Sequence, residues 1–428
     1  MKKFILTISF LLIATNSFAT RQIFSRTPVA INTGATTFYT ITGSGSASTT
    51  ETNRHVLSGI ATNLLYLRAH LSAPPENGVG TQSVTVTIRK NVADTSLACT
   101  MSETVQDCLI AVSVAVAAGD RINATTTVAN TPAAANITFS FVSEGTTANE
   151  TFLGSGTGGT AQPTSGSTYI DPYNCFVPNT TETNMRMLVP TDGTISNAYF
   201  RTTIAPNNGG GTQSWVYTIR IDTGGGFGST GVTKTLSETT VNDSDLVNTY
   251  HVSAGDLLTI QITAVNTPAS FSRGITGFRF VPDNPHEFIM AMVNTGDALN
   301  ASTTEYAMVA GSDSFNATET IRQNYVINLE VKNMWVSLVN PPQNGASTQS
   351  YTFTFRNQEA SGDSVVTISE DQLEDFTETF DQSDSDGLIS TQIVPAGTPT
   401  TGSASISYTL KDRFTEIQGA IINGATLN

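Results

Sequence analysis

The stretch Asn77-Gly78-Val79-Gly80-Thr81-Gln82-Ser83-Val84-Thr85-Val86-Thr87-Ile88-Arg89 decides the fold class. An Asn-Gly turn leads into strict alternation, with Val84, Val86 and Ile88 on one face and Thr85, Thr87 and Arg89 on the other. A period of two with one apolar face marks an antiparallel strand buried on one side. The unit returns twice. Asn208-Gly209-Gly210-Gly211-Thr212-Gln213-Ser214 precedes Trp215, Tyr217 and Ile219, which alternate with Val216, Thr218 and Arg220. Asn344-Gly345-Ala346-Ser347-Thr348-Gln349-Ser350 precedes Tyr351, Phe353 and Phe355, set against Thr352, Thr354 and Arg356.

A second landmark keeps step with the first. Thr50-Glu51-Thr52, Thr181-Glu182-Thr183 and Thr318-Glu319-Thr320 lie upstream, 30, 30 and 29 residues from each Glu to Thr81, Thr212 and Thr348. Two landmarks in register three times imply three homologous units of about 130 residues, an ordinary domain size. The divisions expected are a leader at 1–19 and repeats at 20–147, 148–284 and 285–428. They fall in the Gly/Ser/Thr-rich stretch 145–167 and at Pro282 to Pro285.

In the first repeat, eight apolar-alternating runs separated by turn residues read as strands. They lie near 38–42, 54–57, 64–71, 83–90, 97–101, 109–116, 121–128 and 136–142. This spacing predicts an all-β chain of three tandem antiparallel β-sandwich, jelly-roll-like domains. Outside the leader, only Asp371 to Phe380 has a faint helical pattern. Later in each unit, Val116-Ala117-Ala118-Gly119-Asp120 matches Val252-Ser253-Ala254-Gly255-Asp256. Val394-Pro395-Ala396-Gly397-Thr398 is the third match, with the Asp lost. Ala129-Asn130-Thr131-Pro132-Ala133 is likewise echoed by Val265-Asn266-Thr267-Pro268-Ala269.

The end of each unit resembles the C1q/TNF-like jelly-roll superfamily, where a Gly-Asp turn opens a strand and a Gly-Phe strand closes the sandwich. The matching residues are Gly255-Asp256-Leu257-Leu258-Thr259-Ile260 with Thr276-Gly277-Phe278-Arg279-Phe280. In the first copy they are Gly119-Asp120-Arg121-Ile122 with Thr138-Phe139-Ser140-Phe141. The family's collagen-like stalk is missing. Because members associate as trimers, the resemblance implies binding or assembly rather than catalysis. It raises a pseudo-trimer of the fused copies as one arrangement, with a row of beads as the other.

Lys2 and Lys3, the apolar run Phe4 to Ile13 and Ser17-Phe18-Ala19 read as a secretory signal peptide cut before Thr20. The expected location is therefore secreted, extracellular or at the cell surface, with the periplasm as the nearer alternative. No later run is long enough to span a membrane. Only 13% of residues are charged and the formal charge is −15, which argues against nucleic acid as a partner. Export permits disulfides, and Cys99 and Cys108 bracket a turn-like stretch that such a bond would staple as a hairpin. Cys175 is left over.

The chemistry available is sparse. His55, His70, His251 and His286 are scattered, and no Gly-x-Ser-x-Gly elbow occurs. Gly226-Phe227-Gly228-Ser229-Thr230-Gly231 has the spacing of a dinucleotide loop, but a strand-like run follows it, where phosphate binding needs a helix. The chain reads as non-enzymatic. Glu51, Glu182 and Glu319, with Arg89, Arg220 and Arg356, are charges kept at matched positions, which points to a structural ion pair in each unit. Asp381, Asp384 and Asp386, in an acidic stretch, are the candidates for calcium, the one cofactor that the residue types offer. The leading expectation is an exported structural or assembly protein that binds its own copies or other surface proteins. The alternative is an adhesin or glycan binder using end loops, for which ring exposure at Tyr169, Tyr173 or Phe227 is the discriminating feature.

Overall fold

The computed structural model describes residues 20–412, apart from 43–46, 79, 175–176, 208, 210, 294–296, 312–313, 327–328, 344–347, 380 and 383–386. The leader, Cys175, Asp384 and Asp386 lie outside the described residues.

The first repeat contains β1 (Arg21–Ala30), β2 (Thr37–Tyr39), β3 (Val56–Leu57), β4 (Thr62–Leu71), β5 (Ser83–Lys90), β6 (Ala93–Ser102), β7 (Asp107–Ile110), β8 (Val114–Val116), β9 (Arg121–Ala129) and β10 (Asn136–Gly145). The second contains β11 (Thr151–Gly156), β12 (Ser167–Ile170), β13 (Met187–Leu188), β14 (Gly193–Thr202), β15 (Ser214–Asp222), β16 (Gly228–Ser237), β17 (Asn242–Asp245), β18 (Tyr250–Val252), β19 (Leu257–Val265) and β20 (Gly274–Pro282). The third contains β21 (Glu287–Met292), β22 (Glu305–Ala307), β23 (Asn324–Val326), β24 (Leu329–Leu338), β25 (Ser350–Asn357), β26 (Ala360–Ser369), β27 (Glu374–Thr377), β28 (Asp381–Gln382), β29 (Gly387–Ala396) and β30 (Ala404–Asp412).

One sheet of the first repeat runs β1-β10-β4-β7, with β8 also on β4. The other runs β2-β9-β5-β6, with β3 also on β9. If β2 with β3, and β7 with β8, are each one interrupted strand, the two orders become 1-8-3-6 and 2-7-4-5. That is a double Greek key, the jelly roll. Both later repeats reproduce it strand for strand. The alternating apolar faces form the cores: Val84, Val86 and Ile88 are fully buried, as are Trp215, Tyr217, Ile219, Phe353 and Phe355.

Strand β1 was not expected from the sequence, and β11 lies inside a stretch read as a boundary. Strand β11 is buried at every residue and β1 continuously from Gln22 to Thr27, because one face meets its own sandwich and the other a neighbouring repeat. Two-sided burial removes the alternation that marks a strand. The faint helical pattern after Asp371 is also overturned. Glu374–Thr377 is a strand paired with β24, and its polar alternation suits an exposed edge.

Strand register corrects the third copy of the Gly-Asp turn. Ile122, Leu258 and Ile389 occupy one position, opposite Val56, Met187 and Asn324. Asp120 and Asp256 therefore align with Gly387. Val394-Pro395-Ala396-Gly397-Thr398 instead ends β29 and matches the Asn-Thr-Pro turn. Asn130-Thr131, Asn266-Thr267 and Gly397-Thr398 all have left-handed φ of +50° to +71°.

The three sandwiches close into a ring. Strand β3 lies on β11 and β20 of the second repeat, β13 on β21, β24 and β30 of the third, and β23 on β1 and β10 of the first. One apolar cluster runs through all three, joining Ile23 and Val142 to Leu153 and to Ile289 and Met290. Small residues admit the incoming backbone. A Cβ at Gly277 would overlap the Leu57 carbonyl, and one at Gly59 would overlap Phe278. At the second junction, Ser405 and Thr409 hydroxyls donate to the carbonyls of Arg186 and Pro190, both at 2.9 Å. At the third, Ser25 Oγ donates to the Tyr325 carbonyl at 2.8 Å, and the Arg68 guanidinium lies 4.6 Å from the Tyr325 ring centre.

Candidate functional site

The repeated charges form a clip inside each sandwich. A single 3₁₀ turn begins at Glu51, Glu182 and Glu319. Nε of Arg89, Arg220 and Arg356 donates to these carboxylates at 2.7, 2.5 and 2.7 Å. Each arginine also donates to a hairpin carbonyl: Val92, Phe227 or Glu359. The guanidinium fork thus ties the turn to the β5, β15 or β25 hairpin.

The Thr-Gln-Ser and Asn-Thr-Pro landmarks meet in a second structural device. Asn130 Nδ2 donates to the Thr81 carbonyl at 2.6 Å, and Asn266 Nδ2 to that of Thr212 at 2.7 Å. Where Gly397 replaces the Asn, Gln349 Nε2 donates to the carbonyls of Gly397 and Thr398, both at 3.0 Å. The backbone amides of Glu103, Glu238 and Glu370 bond to the carbonyls of Gln82, Gln213 and Gln349. These glutamates also have left-handed backbone, with φ of 52° to 54°. The repeated motifs are thereby accounted for as clasps at one end of each sandwich.

Cys99 and Cys108 are bonded, with Cα atoms 5.8 Å apart. The bond does not staple a hairpin. Cys99 is on β6 and Cys108 on β7, which belong to opposite sheets, so it closes the open edge of the sandwich. Lys234 and Asp243 occupy the equivalent positions by register and form an ion pair of 3.1 Å. Val366 and Asp375 stand there in the third repeat.

Asp381, the described member of the calcium set, accepts hydrogen bonds from the amides of Asp363 and Ser364. No group of three metal-binding side chains occurs among the described residues. Tyr173 is buried in the core. Tyr169 is half-buried in β12 and Phe227 half-buried beside the β15–β16 hairpin. The Gly226 to Gly231 segment leads into β16, a strand.

Three concavities sit at the ring junctions. Between the first and second repeats a cleft of about 380 Å³ is lined by Gly119, Asp120, Tyr199, Arg201, Asn242 and Ser244 among others. Its counterpart between the second and third, about 360 Å³, includes Asp192, Ala254, Lys332, Asn333, Trp335 and Glu378. A third, of about 280 Å³, includes His70, Gln323 and Glu359. Tyr199 and Trp335 share a register position, each beneath a glycine of the preceding repeat. A Cβ on Gly119 would stand 3.1 Å from Tyr199, and one on Gly255 would stand 3.2 Å from Trp335. Phe376 stacks on Trp335 with centroids 4.2 Å apart. These clefts escape sequence reading because each wall comes from a different repeat. The recurring Gly-Asp turn was the available signal.

No protein-family model matches the sequence, and no curated protein does. Among solved structures, the chain is similar to one from the Sulfolobus turreted icosahedral virus, at 10% identity over 82% of this chain and 79% of that one, TM-score 0.15. It is also similar to a chain from an archaeal virus, described by its triple jelly roll fold and turret assembly. There the identity is 12% over 92% of this chain and 89% of that one, TM-score 0.14. The jelly-roll fold stands on the strand order above.

Proposed function

We propose that the chain is an exported, non-enzymatic structural protein, a C1q/TNF-like trimer fused into one polypeptide that serves as a building block at the cell surface or outside the cell. The closed ring carries this reading. Three equivalent sandwiches seat one another through the same short strand, and the charges and turns kept in all three are spent on holding each sandwich together. Edge strands supply the contacts for assembly. Leu109 on β7, Phe376 on β27 and Val247 just after β17 leave apolar side chains exposed at the same sheet edge of each repeat. Unpaired edges with exposed apolar side chains are templates for another copy.

Light scattering with size exclusion on residues 20–428, purified without reductant, tests the assembly reading. Mass that grows with concentration supports it, and a single-chain mass at every concentration overturns it. Export is tested separately by the N-terminus of the protein recovered from its native cells, which should begin at Thr20.

A further inference from the structure

The pseudo-threefold ring contains its own control: a side chain needed by the fold should have a like counterpart at the other junctions. Two arginines at the first junction have none. Arg201, on β14, lines the cleft between the first and second repeats. Arg121, on β9, is in register with Leu57, another lining residue. By register, the position of Arg201 is held by His70 in the first repeat and Ser337 in the third. That of Arg121 is held by Leu257 and Leu388. Among the described residues, neither guanidinium has a hydrogen bond, ion pair or ring partner.

This is unusual in a chain of formal charge −15, where carboxylates outnumber cationic side chains. Burial, and then repulsion from Arg121, lower the pKa of Arg201. The nearby carboxylates are engaged elsewhere. Asp120 accepts from Asn91 Nδ2 and the Ala117 amide, and Asp243 pairs with Lys234. A guanidinium lining a part-buried cleft, with a second arginine in register beside its wall, favours an anion there, because a guanidinium fork matches the planar or tetrahedral oxygens of carboxylate or sulfate.

Beyond the structural role proposed above, we infer that the cleft between the first two repeats binds an oxyanion-bearing ligand, a sugar acid or sulfated sugar, gripped by Arg121 and Arg201. The remaining wall suits a hydroxylated carrier. Tyr199, Asn242 and Ser244 are part of the lining, and together they bring hydroxyl and amide groups that donate and accept. The volume, about 380 Å³, lies within the range of small-molecule sites. Among the described residues lining it, the pseudo-equivalent cleft at Trp335 has aromatic and amide groups but only Lys332 as a cation, and that is bonded to Glu287.

The test is calorimetric titration of the mature chain, residues 20–428, with sodium glucuronate, sodium sulfate and glucose. Arg201→Ser and Arg121→Leu install residues that the same fold already carries at those positions, and circular dichroism verifies folding. Saturable millimolar binding of glucuronate, about tenfold or more weaker in either variant and weakened by salt, is the expected result. Sulfate binding as tightly as glucuronate assigns the grip to the oxyanion alone and overturns the sugar carrier. Glucose binding as well as glucuronate overturns the role of the arginines. So does unchanged affinity in both folded variants, and the absence of binding by either anion overturns the site. None of these outcomes depends on the chain's state of assembly.

Discussion

Two buried groups at the first junction should oppose each other in the pH dependence of stability. Asp171 is fully buried, and lost hydration pushes its carboxyl from 3.8 up to about 7, despite backbone amides such as that of Tyr173 at 2.9 Å, which favour the charged form. Its segment touches the first repeat, where Thr42 Oγ1 donates to the Tyr173 carbonyl at 2.9 Å. In the first repeat, buried His55 is pushed from 6.5 down to about 4 by burial and by Arg121, with a smaller push from Arg201 of the second repeat, against the pull of Glu51.

The signs differ. Between pH 3.8 and about 7 the folded chain keeps the Asp171 proton that the unfolded chain releases, so this group makes stability fall as pH rises. Between pH 6.5 and about 4 the unfolded chain protonates His55 while the folded chain does not, so this group makes stability fall as pH drops. At a little over 1 kcal/mol per pH unit, each effect reaches roughly 3–4 kcal/mol across its window. They nearly cancel where the windows overlap.

Asp171→Asn keeps an acceptor oxygen for the backbone amides, and His55→Gln installs the residue found at that register position in the third repeat, Gln323. Urea unfolding followed by fluorescence of Trp215 and Trp335 reads the outcome as differences from the parent chain. Asp171→Asn should gain stability as pH rises from about 4 to 6.5, and by about pH 8 exceed the parent by roughly 4 kcal/mol. His55→Gln should lose stability over the same rise, and the double variant should track the parent. Profiles of both single variants running parallel to the parent would refute the reasoning.

Four further outcomes follow from the packing. Arg220→Gln leaves the Glu182 carboxylate and the Phe227 carbonyl without their donor, and should lower stability by about 1–3 kcal/mol in urea unfolding. Replacing Cys99 and Cys108 together by serine should cost about 2–3 kcal/mol. Lys234→Ala, at the same place in the second repeat but more open to water, should cost less than about 1 kcal/mol; calorimetric melting compares the two. Gly277→Val forces a side chain onto the Leu57 carbonyl. It should cost about 3 kcal/mol and open the first junction, seen as faster proteolytic cleavage between β10 and β11.

The sequence by itself determined the all-β class, the threefold repetition and the inward face of the central strands. One-sided burial writes a period of two into the chain, and Trp215, Tyr217 and Ile219 carry it plainly. The repeated Glu and Arg positions were equally legible, because each sandwich makes the same clip within itself. Tertiary structure decided everything that depends on a second repeat. Strand β11 and the 22–27 part of β1 are sealed on both sides, so their residues do not alternate. The cysteines join two sheets, a relation that sequence spacing does not encode. Strand pairing, rather than residue likeness, moved the Gly397 turn to its true counterpart. Arg121 and Arg201 come from different repeats, and only closure of the ring sets Arg201 in the cleft whose wall includes Leu57, the register partner of Arg121.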